Sequence, residues 1–168
     1  MIQITFHGRG GQGAVKAAQI LALAASFDGK YAQAFPSFGI EREGAPVEAY
    51  CRIDEKPILL RSQIYNTDIA VIFDSSLLKF KKIKAKKIIV NSTSKVKNKN
   101  RIYSFDATNL ALKVFGKPIV NTIMLAVFSC FTKLIKKESL IRACKETFSK
   151  ELFEKNLMAI EEVHKSLR

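Results

Sequence analysis

The sequence predicts an α/β fold in which a mostly parallel sheet carries helices on both faces and a helical region forms the C-terminal part. Three observations lead to this prediction. An apolar strand pattern at residues 2–6 runs into a glycine-rich turn and then into an alanine-rich helix pattern. Two further apolar runs, at residues 68–73 and 87–90, have the length and composition of buried strands. After residue 106 the apolar residues recur at helical spacing.

The first elements follow one another as strand, helix and strand. The strand at residues 2–6 precedes a helix over residues 14–25, which ends near Asp28 and Gly29, and residues 30–35 form the second strand. This βαβ order predicts that the first two strands pair in parallel. Residues 36–46 are polar and interrupted by glycine, so they form a loop. Residues 47–53 alternate as a strand before a turn at residues 54–57.

The remaining strands precede a helical region. The buried strand at residues 68–73 ends in Asp74 and two serines, a good helix N-cap, and strands at residues 87–90 and 101–105 complete the sheet. Asp106 or Thr108 caps a helix over residues 109–115 that Gly116 ends, and helices over residues 119–134, 138–147 and 151–167 follow. The whole is a single Rossmann-like domain of three layers, residues 1–168.

The composition excludes several classes of protein. No apolar run is long enough to span a membrane, and no signal-peptide pattern begins the chain, so we expect a cytoplasmic protein without membrane attachment. Cys51, Cys130 and Cys144 lack C-x-x-C spacing, which argues against a disulfide framework or a cluster made by this chain. His7 and His164 have no second ligand at metal-site spacing, so we expect no metal site.

The net charge of +13 is concentrated in one segment, since residues 75–101 carry ten basic groups and no acidic group. A basic run of this kind raises the question of nucleic-acid binding. A buried-strand pattern interrupts the run, however, and no nucleic-acid-binding module is recognisable in the sequence. We therefore expect no nucleic-acid partner, and interpret the segment as a solvated edge or as a surface that faces an acidic partner.

The glycine-rich turn is the candidate binding site, because its glycines have G-x-G-x-x-G spacing directly after a strand. Glycines allow close backbone approach, and the N-terminus of the following helix favours an anion such as phosphate or carboxylate. The candidate contacts are the loop residues Gly8, Arg9, Gly10, Gly11, Gln12 and Gly13. A self-sufficient NAD or FAD site also needs an acidic residue at the end of the second strand, and that strand reads YAQAFP. A tight turn that binds nothing remains an alternative.

No arrangement of nucleophile and base, and no pair of carboxylates, suggests a catalytic site. We therefore predict no catalytic residue and no metal ligand in this chain. An α/β domain with a binding loop but no catalytic set indicates a subunit whose chemistry takes place elsewhere.

Several segments together carry a family resemblance. They are HGRGGQGAVKAAQILA, GKYAQAFPSFGIEREGAPVEAYCRID, KPIVNTIMLAVFSCF and ESLIRACKETFSKELFEKNLMAIEE. In this order they resemble the gamma subunit of 2-oxoacid:ferredoxin oxidoreductases of the pyruvate synthase type. The resemblance spans nearly the whole chain and is weakest across residues 79–101.

This resemblance implies a subunit of a complex that interconverts pyruvate and coenzyme A with acetyl-CoA and CO2, with ferredoxin as electron carrier. It implies alpha, beta and delta partner subunits, with thiamine diphosphate, Mg2+ and Fe–S clusters held in those partners rather than in this chain. The isolated chain is then expected to be inactive. The segment YAQAFPSFGIEREGAPV looks like the pyruvate and branched-chain groups of the family, and a branched-chain 2-oxoacid or 2-oxoglutarate enzyme is the alternative. A free-standing nucleotide-binding protein is a more distant alternative.

The resemblance also implies a contribution to coenzyme A binding. Carried onto this sequence, the contacts are the loop at residues 8–13 and the loop at residues 38–44, with Arg42 or the lysine-rich run at residues 79–101 as a further phosphate contact. The alternative is that the second loop packs on the alpha subunit. The interface residues would then be Phe35, Pro36, Phe38, Gly39, Glu41 and Gly44.

Overall fold

The computed structural model describes residues 1–37, 44–80, 83–94 and 101–167, and in them six strands form one sheet in the order β2-β3-β1-β4-β5-β6. The strands are β1 (Ile2–Arg9), β2 (Tyr31–Pro36), β3 (Pro46–Asp54), β4 (Thr67–Ile72), β5 (Ala85–Asn91) and β6 (Ile102–Phe105). The helices are α1 (Ala14–Phe27), α2 (Leu77–Phe80), α3 (Ala107–Phe115), α4 (Asn121–Thr132), α5 (Lys137–Thr147) and α6 (Lys150–Ser166). The predicted α/β class with a mostly parallel sheet is confirmed.

The predicted parallel pairing of the first two strands is wrong, because β3 lies between them. Cys51 of β3 is antiparallel to Ile4 of β1 on one side and to Ala34 of β2 on the other. Strands β1 and β2 do run in the same direction, as the connection through α1 requires, but a local βαβ pattern does not decide which strand becomes the neighbour. On the other side of β1, strands β4, β5 and β6 follow in parallel.

The main core lies on one face of the sheet. The alternate residues Ile4, Phe6, Val71 and Ile89 of the strands point into it and meet helices α1, α4, α5 and α6. Helix α1 buries five alanines together with Ile20 and Leu21 in the main core, and small side chains of this kind let a helix lie close to a sheet.

The opposite face has a smaller cluster beneath the short helix α2, in which Leu77 covers Ala70, Ile72, Ile88 and Val90. Helices therefore lie on both faces, but very unequally. Beside this cluster, over β1, β2 and β3, the face is crossed by the segment of residues 55–66, which contains neither helix nor strand.

Most boundaries from the sequence agree with the structure within two residues. Asp106 caps α3, as one of the two predicted alternatives, because its carboxylate accepts from the backbone N–H of Asn109 at 3.0 Å. Gly116 ends that helix with φ 67°. Helix α4 is shorter than predicted, because Lys133 turns out of it with φ 57°. Among the described residues, no helix is both long and apolar enough to cross a membrane.

Candidate functional site

The candidate site is the turn of residues 10–13 between the end of β1 and the beginning of α1. Gly11 and Gly13 have φ of 91° and 77°, backbone angles that a residue with a Cβ rarely adopts. A Cβ at Gly13 would lie 2.6 Å from the amide nitrogen of Asn121, whose side chain packs over the turn. A Cβ at Gly8 would come within 3.3 Å of Phe73. The turn therefore needs these glycines for its backbone path and for packing.

Hydrogen bonds within and next to the turn fix its shape. The side chain of Gln12 folds back, so that its Oε1 accepts from the backbone N–H of Arg9 at 2.7 Å, and the backbone N–H of Gln12 donates to the Arg9 carbonyl at 3.0 Å. The N–H of Gly10 donates to the carbonyl of Ala45 at 2.9 Å. The loop is thus shaped before any ligand arrives, which lowers the entropy cost of binding.

Arg9 connects three parts of the chain. Its Nε donates to Asp74 at 2.6 Å, its Nη2 donates to the Ser76 hydroxyl at 2.9 Å, and its Nη1 donates to the Gly44 carbonyl at 3.1 Å. Burial alone would raise the pKa of Asp74, but hydrogen bonds from Ser76 and Arg9 outweigh it, so this pKa lies below its ordinary value. The guanidinium of Arg9 is engaged by protein acceptors, and an anion contact from it would require these bonds to be exchanged.

The N-terminus of α1 is the electropositive feature of the site. No side chain caps this helix within the described part of the chain, and its first turn holds no acidic residue. The partial positive charge of the first-turn amides is therefore not compensated. Lys16 adds a full positive charge in the same turn and is exposed. The arrangement suits a phosphate or carboxylate group.

Two open clefts border the turn. One has a volume of about 340 Å³ and is lined by Arg9, Gly10, Gly11, Gly13, Ala14, Val15, Lys16, Gln19 and Val47. The other has a volume of about 250 Å³ at the carboxyl ends of β4 and β5, and is lined mainly by polar residues that include Gln12, Asp74, Ser75, Asn91, Ser92, Thr93 and Thr108. Only the first combines the glycine turn with the N-terminus of α1.

The structure brings most of the predicted anion contacts together around the turn. Arg9, Gly10, Gly11 and Gly13 line the first cleft, whereas Gln12 lines the second. Gly8 is buried beneath the turn. Arg42 lies outside the described residues, so its contact stays a prediction.

The predicted interface residues are only partly described. Phe35 lies on the sheet face opposite α1, with its ring 5.3 Å from that of Tyr50, and Pro36 ends β2. Gly44 has φ 75° and accepts from Arg9. Phe38, Gly39 and Glu41 lie outside the described residues.

Sequence reasoning missed three contributors to the site. Lys16 could have been found, because it stands three residues after the last glycine of the motif, in the first turn of a predicted helix. Asp74 and Asn121 could not, because they reach the turn only through the parallel pairing of β1 with β4 and the packing of α4.

No three His, Cys, Asp or Glu side chains of the described residues come together as metal ligands. Cys51 and Cys144 are buried, and burial raises the pKa of each thiol, that of Cys144 to about 12. Cys130 lies 3.4 Å from Nδ1 of His164, whose Nε2 is 3.0 Å from the Ser129 hydroxyl. Burial raises the pKa of Cys130 and lowers that of His164, so this contact does not produce the thiolate that a nucleophile requires.

Fold and site together define an α/β protein with a preformed, electropositive glycine turn and, within the described residues, no set of metal ligands. The chain belongs to the family of pyruvate ferredoxin/flavodoxin oxidoreductases, whose model matches residues 3–166. This confirms the resemblance seen in the sequence and, with it, the prediction that the chain is a subunit of an oxidoreductase of this family.

Two curated relatives match nearly the whole chain. The pyruvate synthase subunit PorC of Methanothermobacter thermautotrophicus is 48% identical, over 98% of this chain and 97% of its own. The common subunit gamma of the pyruvate/ketoisovalerate oxidoreductases of Pyrococcus furiosus is 47% identical, over 98% of this chain and 96% of its own. Among solved structures, the pyruvate oxidoreductase subunit PORC of Thermotoga maritima superimposes with a TM-score of 0.82 at 32% identity, covering 98% of this chain and 95% of that one.

Proposed function

We propose that this chain is the gamma subunit of a cytoplasmic pyruvate:ferredoxin oxidoreductase that interconverts pyruvate and coenzyme A with acetyl-CoA and CO2. Its partners are alpha, beta and delta subunits, and ferredoxin carries the electrons. The single observation that carries the proposal is the near full-length similarity, at 48% identity, to a pyruvate synthase subunit.

Thiamine diphosphate with Mg2+ and the Fe–S clusters find no fitting set of ligands among the residues that the structure describes. Three ligands never converge among the described residues, and two of the three cysteines are buried among apolar side chains. These groups would supply decarboxylation and electron transfer in partner subunits, and no step of that chemistry is assigned to residues of this chain.

Coenzyme A fits better, because its phosphates need a compact electropositive site. The uncapped first turn of α1 offers backbone amides, and Lys16 offers an ammonium group beside them. The turn at residues 10–13 leaves room for a phosphate because no atom of the described residues lies within 4 Å of the position of a Cβ at Gly11. Arg9 would then hold the turn in place through Asp74 rather than contact the phosphate itself. Arg42 remains a proposed second phosphate contact.

More than one 2-oxoacid is a candidate substrate of the complex. The Pyrococcus furiosus relative is named a common subunit of pyruvate and ketoisovalerate oxidoreductases. A branched-chain 2-oxoacid is therefore the second candidate substrate, and 2-oxoglutarate is a third. A subunit shared between two enzymes leaves the choice of 2-oxoacid to the other chains.

A free-standing dinucleotide-binding protein is disfavoured by the strand order. In a dinucleotide site the second strand lies beside the first, so that its acidic end residue reaches the ribose. Here the antiparallel β3 occupies that place, with Pro46 opposite Arg9 and Val47 opposite Gly8.

The complex is tested by purifying the tagged chain from its native host under mild conditions and identifying bound chains by mass spectrometry. We expect three further chains in constant proportion, with sequences typical of thiamine diphosphate and Fe–S binding. Isolation as a homo-oligomer without partner chains would refute the proposal.

The coenzyme A contact is tested in the assembled complex with Lys16→Gln, and with Lys113→Gln on α3 as an exposed control. Loss of one charged phosphate contact should raise the KM for coenzyme A about threefold to tenfold, and leave kcat and the KM for pyruvate unchanged. Lys113→Gln should change none of the three. An unchanged KM for coenzyme A in the Lys16 variant would contradict the proposed contact.

A further inference from the structure

Residues 55–66, here called the strap, join β3 to β4 by crossing the sheet face opposite α1. The strap passes over three strands in turn. The Ile58 carbonyl accepts from Gln33 of β2 at 2.9 Å, the Leu60 carbonyl from Arg52 of β3 at 3.4 Å, and the Asn66 carbonyl from Gln3 of β1 at 3.1 Å. Side chains of the sheet therefore hold the strap by its backbone carbonyls. Side chains of the strap are not needed for these bonds and can face outward.

Arg52 is the central contact. Its guanidinium also donates to the Ser62 carbonyl and lies 5.0 Å from the centre of the Phe35 ring. The residue is 1% exposed, forms no ion pair with any described carboxylate, and leaves its Nε without a hydrogen-bond partner in the described structure. A buried charge without a counter-ion destabilises a fold, and here the guanidinium instead holds the strap through the Leu60 and Ser62 carbonyls.

Three of the outward side chains of the strap are large and apolar. Leu59 is 87% exposed, Tyr65 is 81% exposed and Leu60 is 48% exposed. Between them Ile64 points inward and is buried. Three large apolar side chains on one short, backbone-held segment form the kind of exposed patch that marks a protein interface.

The charge on the strap indicates what kind of partner fits. Lys56 and Arg61 are exposed and form no ion pair with the described residues, whereas the acidic Glu55 pairs with Lys30 at 3.5 Å. The uncompensated charge of the strap is therefore positive, on a chain of net charge +13. A second copy of the chain would meet the same positive charge, whereas an acidic surface would be attracted.

We propose that the strap is a docking surface for another subunit of the complex, which presents an apolar pocket for Leu59 and Tyr65 and carboxylates for Lys56 and Arg61. This inference rests on the proposed function, since it needs a complex in which partner chains exist. Arg52 acts as a positioning residue that holds the strap in the shape the partner meets.

The test measures binding of the purified chain to the rest of the complex, prepared without it, by biolayer interferometry. The variants are Leu59→Asp and Tyr65→Asp, and Met158→Asp on α6 is the matched control, since Met158 is 62% exposed and lies far along the chain from the strap. We expect each strap variant to weaken binding at least tenfold, and Met158→Asp to stay within twofold of wild type. Melting temperatures from circular dichroism should be equal in all four proteins.

Each other outcome decides the question. If the wild type binds and the strap variants bind equally well, the docking surface is refuted while the proposed function stands. If the wild type does not bind the other subunits at all, the proposed function fails as well. If sedimentation shows a wild-type homodimer that Leu59→Asp dissociates, the strap serves a second copy and the proposed partner is wrong. A strap variant that melts below wild type is replaced by Leu59→Ser, which removes the apolar group without adding charge.

Discussion

Replacement of Gly13 by alanine should destabilise the fold more than the same change at Gly11, two residues away. Both glycines have positive φ, so alanine at either position costs about 1–2 kcal/mol in backbone strain. At Gly11 no atom of the described part of the chain lies within 4 Å of the new Cβ, whereas at Gly13 the Asn121 amide lies 2.6 Å from it. That amide group is buried and accepts from the Thr122 N–H at 2.8 Å, so moving it adds about 1–3 kcal/mol.

The expected loss of unfolding free energy is therefore about 2–5 kcal/mol for Gly13→Ala and about 1–2 kcal/mol for Gly11→Ala. For a chain of this size these values correspond to a fall in Tm of about 4–20 °C and about 2–8 °C, respectively. Urea and thermal unfolding followed by circular dichroism measure both. Equal destabilisation by the two changes would refute the reasoning, because it would mean that Asn121 does not pack over Gly13.

Three further predictions concern acid stability, the strap and the thiols. Hydrogen bonds from Ser76 and Arg9 lower the pKa of Asp74 in the fold, so these bonds stabilise the folded state above a pH of about 4, and this contribution is lost as the pH falls through the folded pKa. In Asp74→Asn, the difference between the free energies of unfolding at pH 7 and pH 3, measured with urea, should therefore be smaller than in wild type. Arg52→Gln should release the strap, so that trypsin cleaves after Arg61 several times faster than in wild type. In the native chain Cys130 should react with a thiol reagent well before the buried Cys144, whose pKa is raised to about 12.

Each of these predictions has a result that contradicts it. If the free energy of unfolding changes as much between pH 7 and pH 3 in Asp74→Asn as in wild type, the partners of Asp74 do not stabilise its carboxylate. Cleavage after Arg61 at the wild-type rate in Arg52→Gln would mean that the guanidinium does not hold the strap. Labelling of Cys144 as fast as Cys130, followed by peptide mass spectrometry, would mean that α5 opens readily and the core is not packed as described.

Local patterns were sufficient for those parts of the fold whose contacts are close in sequence. The order of β1, glycine turn and α1 follows from apolar runs and glycine spacing, and Asp106 capping α3 follows from its position before a helical run. The insertion of β3 between β1 and β2 could not be predicted, because strand adjacency depends on long-range packing that a local pattern does not encode.

The candidate site was predictable to the same extent. The glycine motif located the turn, but the role of Arg9 depends on Asp74, which lies 65 residues away and is brought near by the pairing of β1 with β4. The strap gave no periodic signal, since it is neither helix nor strand and depends on Arg52 and Gln33 for its position. Such a segment becomes visible only when its exposed leucine and tyrosine side chains are seen on the surface.

The most direct test of the central claim is the rate of ferredoxin reduction by pyruvate and coenzyme A, measured with three preparations. These are the purified complex, the isolated chain, and the complex prepared without this chain and then restored with it. We predict turnover by the whole complex, none by the isolated chain, a loss of activity without the chain, and recovery when it is added back. Turnover by the isolated chain, or full activity in a complex that lacks it, would contradict the account.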